Sequence, residues 1–288
     1  MAMRRPTARV REVSRILRDL VEPIAANVYF APEARDAYAE LGLAGFGPAY
    51  FCSRGGCLGQ VAGEVITAAF GVFSPRMVIP AVAEGWSKTD APTILAARQR
   101  GATASLTRVL GPEPDGLERA TELLRVAADA ATGEGRHLFS GLRSLGWPGD
   151  PMGDLWRAAD LVREHRGDSH ICAWVSHGVD PIQANLLTEL WWRMPFRSYV
   201  RTRGWTNEEI DGAVNRLRDA GIVDGDAFTP AGEELRASIE EATDIQEGLL
   251  VDALADDAEE LFGIIGPWAK EIVRAGGYPA DPTTFTRP

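Results

Sequence analysis

The chain has 288 residues, 45% of them apolar and 25% charged, with a formal net charge of −11. That length holds two domains, or one large body with a small module attached, and the acidity argues against a broad nucleic-acid surface, because phosphate contacts need clustered Lys and Arg. Three cysteines make no disulfide framework and point to a reducing cytoplasm, while the absence of an apolar signal core or an apolar run of about 18 residues argues against a secreted or membrane-spanning chain.

The first element is legible at once. VREVSRILRDLVEPIAANVYF sets Val10, Val13, Ile16, Leu17, Leu20, Val21 and Ile24 at three- and four-residue steps, the apolar stripe of a long helix. Pro32-Glu33 opens a short second helix running to Leu43. Residues 45–60, GFGPAYFCSRGGCLGQ, hold five glycines and a proline, which predicts a non-helical loop packed beneath the body or lining a pocket. Helical periods follow at roughly 60–72, 75–87, 90–109, 115–131, 135–145 and 151–165. Ser74-Pro75, Asp90-Ala91-Pro92 and Asp150-Pro151 supply caps beside prolines in the first turn. No alternating strand pattern precedes residue 220, so the expected fold class is all-α, a multi-helical body.

Three of the four histidines fall in REHRGDSHICAWVSHG, residues 163–178. Gly167 is expected to end one helix, and Asp168-Ser169 to cap another that stops at Gly178. His170 would then sit in a first turn, where the helix dipole disfavours its charged form, with His177 two turns further on roughly the same face. A neutral imidazole can accept a hydrogen bond or act as a general base. A satisfied core histidine beside a capping aspartate is the plainer reading, and both stay open. Cys52, Cys57, Cys172 and His170 fit no common zinc spacing, Cys57 with His170 would make a nucleophile pair only if the fold joined them, and Ser53–Cys57 lacks the Lys-Ser/Thr of a phosphate loop. No metal is predicted and no cofactor is named by the sequence.

The functional reading is a small-molecule pocket between the 50–60 loop and the 167–177 helix. Arg54 would anchor an anion. Tyr50, Phe51, Phe70, Phe73 and Trp174 would supply walls, and Cys57, Ser169, His170 and His177 would complete the lining. In an enzyme alternative, of the kind that serves secondary metabolism, His170 transfers a proton with help from Asp168.

From Asp180 the order is an apolar helix (PIQANLLTELWWRM), a short helix (FRSYVRTRG), a Thr-capped helix with Glu209 at the capping-box position, a hairpin around Asp224-Gly225-Asp226, and a long helix. This order predicts a C-terminal winged helix-turn-helix carrying a small β-hairpin. The expected units are a helical body over 1–178, the winged helix over 179–247 and a helical extension over 248–288, with a homodimer formed through the long terminal helices. EVITAAFGVFSPRMVIPAVAEGWSKTDAPTILAARQRG also parallels NLLTELWWRMPFRSYVRTRGWTNEEIDGAVNRLRDAG, which reads either as a degenerate winged-helix-like repeat in the body or as a chance likeness of two short Trp-capped helices. A DNA reader would use Asn207, Asn215, Arg216 and Arg218 on bases, with Arg201 and Arg203 on phosphates. Against this, residues 180–247 hold 7 basic and 14 acidic side chains, which disfavours DNA as a partner.

The segments YFCSRGGCLGQV, FGVFSPRMV, LWRAADLVREHRGDSHICAWVSHGVDP and RGWTNEEIDGAVNRLRDAGIVD resemble an actinobacterial helix-turn-helix family described as SalK-like or SCO-type. The third-helix-to-wing stretch is similar to that of MarR-type proteins. Arg54, Gly59, Gly167, Asp168, His170 and Gly204-Trp205 are the matching positions, whereas Gly55-Gly56-Cys57 departs from the pattern. The resemblance implies a winged-helix-like fold and a regulatory role; joined to the pocket read from the residues, it makes a ligand-responsive transcriptional regulator the expected function.

Overall fold

A computed structural model describes residues 7–281. Helix α1 (Ala8–Ala26) is capped by Thr7, whose hydroxyl accepts the Val10 N–H at 3.1 Å, and it buries Leu17, Val21 and Ile24 as the stripe predicts. It is followed by α2 (Pro32–Ala39), α3 (Phe46–Gly55), α4 (Gly63–Phe70), α5 (Pro75–Trp86) and α6 (Ala91–Leu110). Then come α7 (Leu117–Ala130), α8 (His137–Arg143) and α9 (Pro151–Ser176). Asp90 and Asp150 cap α6 and α9 through the N–H groups of Thr93 and Gly153. Ser74 makes no side-chain cap; its N–H donates instead to the Arg203 carbonyl at 2.8 Å.

Two local expectations fail. The glycine-dense stretch is mostly helix, α3 followed by a short 3-10 turn. Only Gly45 (φ 93°) and Gly59 (φ 81°), which bracket it, use the left-handed region. Gly55 is there for packing: a Cβ on it would lie 2.3 Å from Ile66 Cδ1. Nor does Gly167 break a helix. Helix α9 runs for 26 residues without interruption, because it is packed on all sides by α1, α6, α7, α8 and α12. That burial outweighs the roughly 1 kcal/mol a mid-helix glycine costs. Asp168-Ser169 therefore caps no new helix.

Helix α10 (Pro181–Trp191) starts in a capping box of Asp180 and Gln183. The short second helix expected after it is a 3-10 turn, Val200–Arg203. Helix α11 (Asn207–Asp219) carries the Thr206/Glu209 capping box that the sequence indicates. Strands β1 (Val223–Asp224) and β2 (Ala227–Phe228) pair antiparallel, Val223 opposite Phe228, before α12 (Pro230–Gln246). The chain is thus predominantly helical, with a two-stranded hairpin between α11 and α12. Helices α13 (Gly248–Leu254) and α14 (Ala258–Arg274) return to the body, where Leu261, Ile265 and Ile272 join the main core against α1, α6 and α7. Much of their apolar surface packs within the chain, while Ile245 of α12 and Leu249 of α13 stay exposed. Residues 282–288 of the predicted extension lie outside the described residues.

Two apolar cores result. The larger takes α1–α8, the first half of α9, α13 and α14; the smaller takes α10–α12 and β1, together with Ala173 and Trp174 from the end of α9.

Candidate ligand-binding cleft

Spacing along α9 builds the floor. Arg163, Arg166, Gly167 and His170 recur at three- and four-residue steps and so share one face. This face lines a cavity of about 340 Å³, closed by Arg18 and Glu22 of α1, Arg54 of α3, Asn185 and Thr188 of α10, Trp192, Tyr199, and Arg236 and Glu240 of α12. A second cavity of about 1200 Å³ shares Arg18, Glu22, Arg163, Thr188, Trp192 and Tyr199 with the first, so the two form one cleft between the body and the 181–246 segment. Tyr29, Phe46, Tyr50, Phe73, Met77, Met194, Arg201, Arg203 and Tyr278 extend its walls.

The arginines are largely engaged. Arg54 grips Glu164 with Nε and Nη2 at 2.8 and 2.7 Å, donates to the Tyr50 hydroxyl, and lies 4.4 Å from the Phe70 ring centroid. It borders the cavity as expected, but its charge is already matched and it offers no free anion anchor. Burial opposes ionisation of Glu164, yet Arg54 and Arg163 outweigh it and hold the carboxyl well below its usual range. Arg163 also binds Glu22 at 2.9 Å. Arg236 pairs with Glu240 at 2.6 Å. Arg166 spends Nη2 on Asp244 (3.0 Å) and Glu240 (3.4 Å), leaving Nη1 buried without a hydrogen-bond partner.

His170 is the acceptor in this setting. Its Nδ1 lies 3.0 Å from the Thr243 hydroxyl, which itself donates to the Ile239 carbonyl at 2.8 Å. The hydroxyl proton being committed, Nδ1 must carry the hydrogen, and Nε2 keeps its lone pair. Burial, reinforced by Arg236, pushes the imidazole down to about 4, so it is neutral at physiological pH. Neutrality was expected, but from a helix start; here the cause is desolvation in mid-helix. On α10, Asn185 donates Nδ2 to the Val72 and Pro181 carbonyls, and its Oδ1 is buried without a partner.

Of the predicted lining, the fold brings Arg54 and His170 to the inner cavity, and Tyr50 and Phe73 to the outer one. The others lie elsewhere. Phe51 is wholly buried in the larger core, and Trp174 belongs to the smaller one. Cys57 is buried beneath the Leu138 carbonyl, and desolvation pushes its thiol up to about 12, which leaves no thiolate nucleophile. Ser169 accepts from Arg136 Nε at 2.9 Å, and His177 is exposed, its Nδ1 on the Ala173 carbonyl. Asp168 does not assist His170. Two residues apart on a helix means nearly opposite faces, and its carboxylate accepts the Phe139 N–H at 3.0 Å at the start of α8. Sequence reasoning missed Arg163, Arg166, Asn185, Trp192 and Tyr199. The 163–166–170 spacing was in plain view, but an assumed break at Gly167 divided it.

The proposed DNA-reading residues are split. Asn207, Asn215, Arg216 and Arg218 are exposed on α11. Arg216 is paired with Asp180 at 2.7 Å and Arg218 donates to the Gly225 carbonyl. Arg201 and Arg203 border the cleft, and the Arg203 guanidinium stacks 3.9 Å from the Tyr199 centroid and 4.7 Å from that of Phe73. Among the described residues no helix is long and apolar enough to cross a membrane, and no three His, Cys, Asp or Glu side chains are grouped to hold a metal.

A helical body, two capped helices joined by a helical turn, a hairpin and a further helix are the components of a helix-turn-helix protein with an internal cleft. Residues 14–279 match a family described as a helix-turn-helix family, and the chain belongs to it. No curated protein and no solved structure matches the chain.

Proposed function

We propose that this protein is a ligand-responsive helix-turn-helix regulator. A small organic molecule occupies the cleft, and α10–α12 with the β1–β2 hairpin act as a winged helix whose placement the ligand biases between DNA-competent and DNA-incompetent arrangements. The observation that carries this reading is the position of the cleft. Its floor is α1 and α9 of the body and its other wall is α10, α12 and residues 192–203, so an occupant touches both units at once. Ligand sites in helical proteins form between helices in this way. Family membership is compatible with DNA binding, while residues 180–247 carry 14 acidic side chains against 7 basic ones, four of the acidic ones on α11 itself, which works against it.

The test has two arms. The chain should retard DNA from upstream of its own coding sequence at low salt and micromolar protein, and the retardation should weaken steeply as salt rises. No retardation under those conditions removes the regulator. His170→Ala should fold, retain the DNA shift and lose its response to a cleft ligand. A second reading, an enzyme in which His170 accepts a proton from substrate, draws on one observation, the free lone pair at Nε2. Turnover of a cleft ligand that His170→Ala abolishes would establish it.

A further inference from the structure

We infer that residues 192–203 form a strap over the outer compartment, held tightest while the buried Glu189 carboxyl carries a proton and loosened as it ionises. This concerns the regulation of the cleft, and its bearing on ligand entry rests on the ligand-binding reading above. Trp192, Met194, Ser198, Tyr199 and Thr202 of this span line the compartment. Both ends are pinned: the Met194 N–H donates to the Glu189 carbonyl and the Ser74 N–H to the Arg203 carbonyl, each at 2.8 Å. The backbone passes through the left-handed region at Arg193 (φ 55°) and Arg197 (φ 68°), positions that non-glycine residues hold only under restraint. The restraint is Glu189, whose two carboxyl oxygens accept the N–H groups of Arg197 and Val200 at 2.5 and 2.7 Å.

The isolation of that carboxyl makes the strap sensitive to protons. Glu189 is wholly buried, and among the described residues none of the strap's four arginines pairs with it. Arg197 binds Asp211 of α11 at 2.8 Å, Arg203 lies over the Phe73 and Tyr199 rings, Arg193 makes no ion pair, and Arg201 acts only at a distance. Burial raises the carboxyl to about 7, against the pull of the Val200, Arg197 and Tyr199 N–H groups and of Arg201. A charge without a counter-ion is costly to keep from water, so opening, which hydrates it, returns it toward its ordinary 4.5. The form with the higher value is the one acid favours. The open form therefore gains as pH rises, and should be about tenfold more populated at pH 8 than at pH 6. A neutral carboxyl still accepts at its carbonyl oxygen. Val200, wholly buried in the smaller core, keeps the strap from leaving altogether.

Amide hydrogen exchange of the full chain, followed by NMR at pH 6 and pH 8 and corrected for the intrinsic rate, tests this, with the buried α6 residues Ala102 and Leu106 as reference. Relative to that reference, protection at Arg197 and Val200 should be about tenfold lower at pH 8 than at pH 6. Glu189→Gln keeps a carbonyl oxygen and cannot ionise, so its protection relative to α6 should be the same at both pH values. Protection in the parent that is unchanged, or that falls toward acid, overturns the strap. So does a change of equal size in α6, which would place the effect in global unfolding. A difference between the two pH values that survives in Glu189→Gln overturns it as well, and the parent series decides alone where that variant does not fold. No ligand enters these measurements. A failed strap leaves the ligand-binding reading standing, and a cleft that binds nothing leaves the strap standing but without a bearing on ligand entry.

Discussion

Asp168 and His170 sit two positions apart and titrate in opposite senses. Burial pushes the Asp168 carboxyl up to about 7, against the pull of the Phe139 N–H, while burial pushes His170 down to about 4. For Asp168 the folded value lies above the unfolded one. Its contribution to stability is therefore complete below about pH 4 and is lost as pH rises through about 7. For His170 the folded value lies below the ordinary 6.5, so its contribution is present above that pH and lost as pH falls through about 4. Asp168→Asn keeps an oxygen for the Phe139 N–H and removes the titration. The variant should be more stable than the parent at pH 8 by about 2 kcal/mol and nearly equal to it at pH 4. Denaturant unfolding at the two pH values measures this, and a difference that does not change with pH would show that Asp168 ionises normally. The rise at Asp168 was not visible in the sequence, and the fall at His170 was expected from a helix start rather than from burial. Both come first from burial by segments distant along the chain; the Phe139 amide opposes the rise at Asp168, and Arg236 adds to the fall at His170.

At the scale of single elements, the segment between α10 and α11 carries the cleft's outer wall on little support of its own. Arg193 (φ 55°) and Arg197 (φ 68°) are non-glycine residues in the left-handed region, a conformation costing about 1 kcal/mol each. One side chain compensates. Glu189, fully buried, accepts the N–H groups of Arg197 and Val200 at 2.5 and 2.7 Å. Glu189→Ala leaves those amides unpaired and should cost about 2–3 kcal/mol. Amide exchange at Val200 should accelerate well beyond that in α9, and uniform acceleration along the chain would contradict this account. The sequence marked this segment as a helix, because FRSYVRTRG has the right composition. It could not show that an internal carboxylate bends the backbone away from helical bonding. Elsewhere the local signals were sufficient: the stripe of α1, the aspartate caps of α6 and α9, and both halves of the Thr206/Glu209 box need only neighbouring residues to form. The two glycine errors have one cause. Gly55 and Gly167 were read for their backbone freedom, whereas tertiary packing holds both in ordinary helices.

For the molecule as a whole, the carboxy-terminal helices are part of the body. Leu250, Leu254, Leu261, Ile265 and Ile272 are buried in the larger core. At about 1.5–3 kcal/mol each, their burial rivals the 5–15 kcal/mol net stability of an ordinary domain. A chain ending at Gln246 should therefore fail to unfold cooperatively, and a sharp thermal transition in that truncation, followed by circular dichroism, would refute the assignment. The sequence marks residues 248–288 as a helical extension and expects a homodimer through the long terminal helices, whereas these five side chains find their partners inside the same chain. An amphipathic stripe states that a partner exists, not whether that partner belongs to the same chain. The cleft was half legible for the same reason. Arg54 and His170 were singled out as facing one space, and both border it. The bidentate pair that occupies Arg54, with Glu164 far along the chain, leaves no local trace.

Helix α9 begins in one apolar core and ends in the other without a joint. It acts as a single stiff beam shared by both halves, so a twist applied near its middle is felt at either end. A guest pressing on His170 could not swing the distal half freely about Gly167. The guest also touches Tyr199 in the span held by Glu189, which joins α10 to α11 and so offers a route from the cleft to α11.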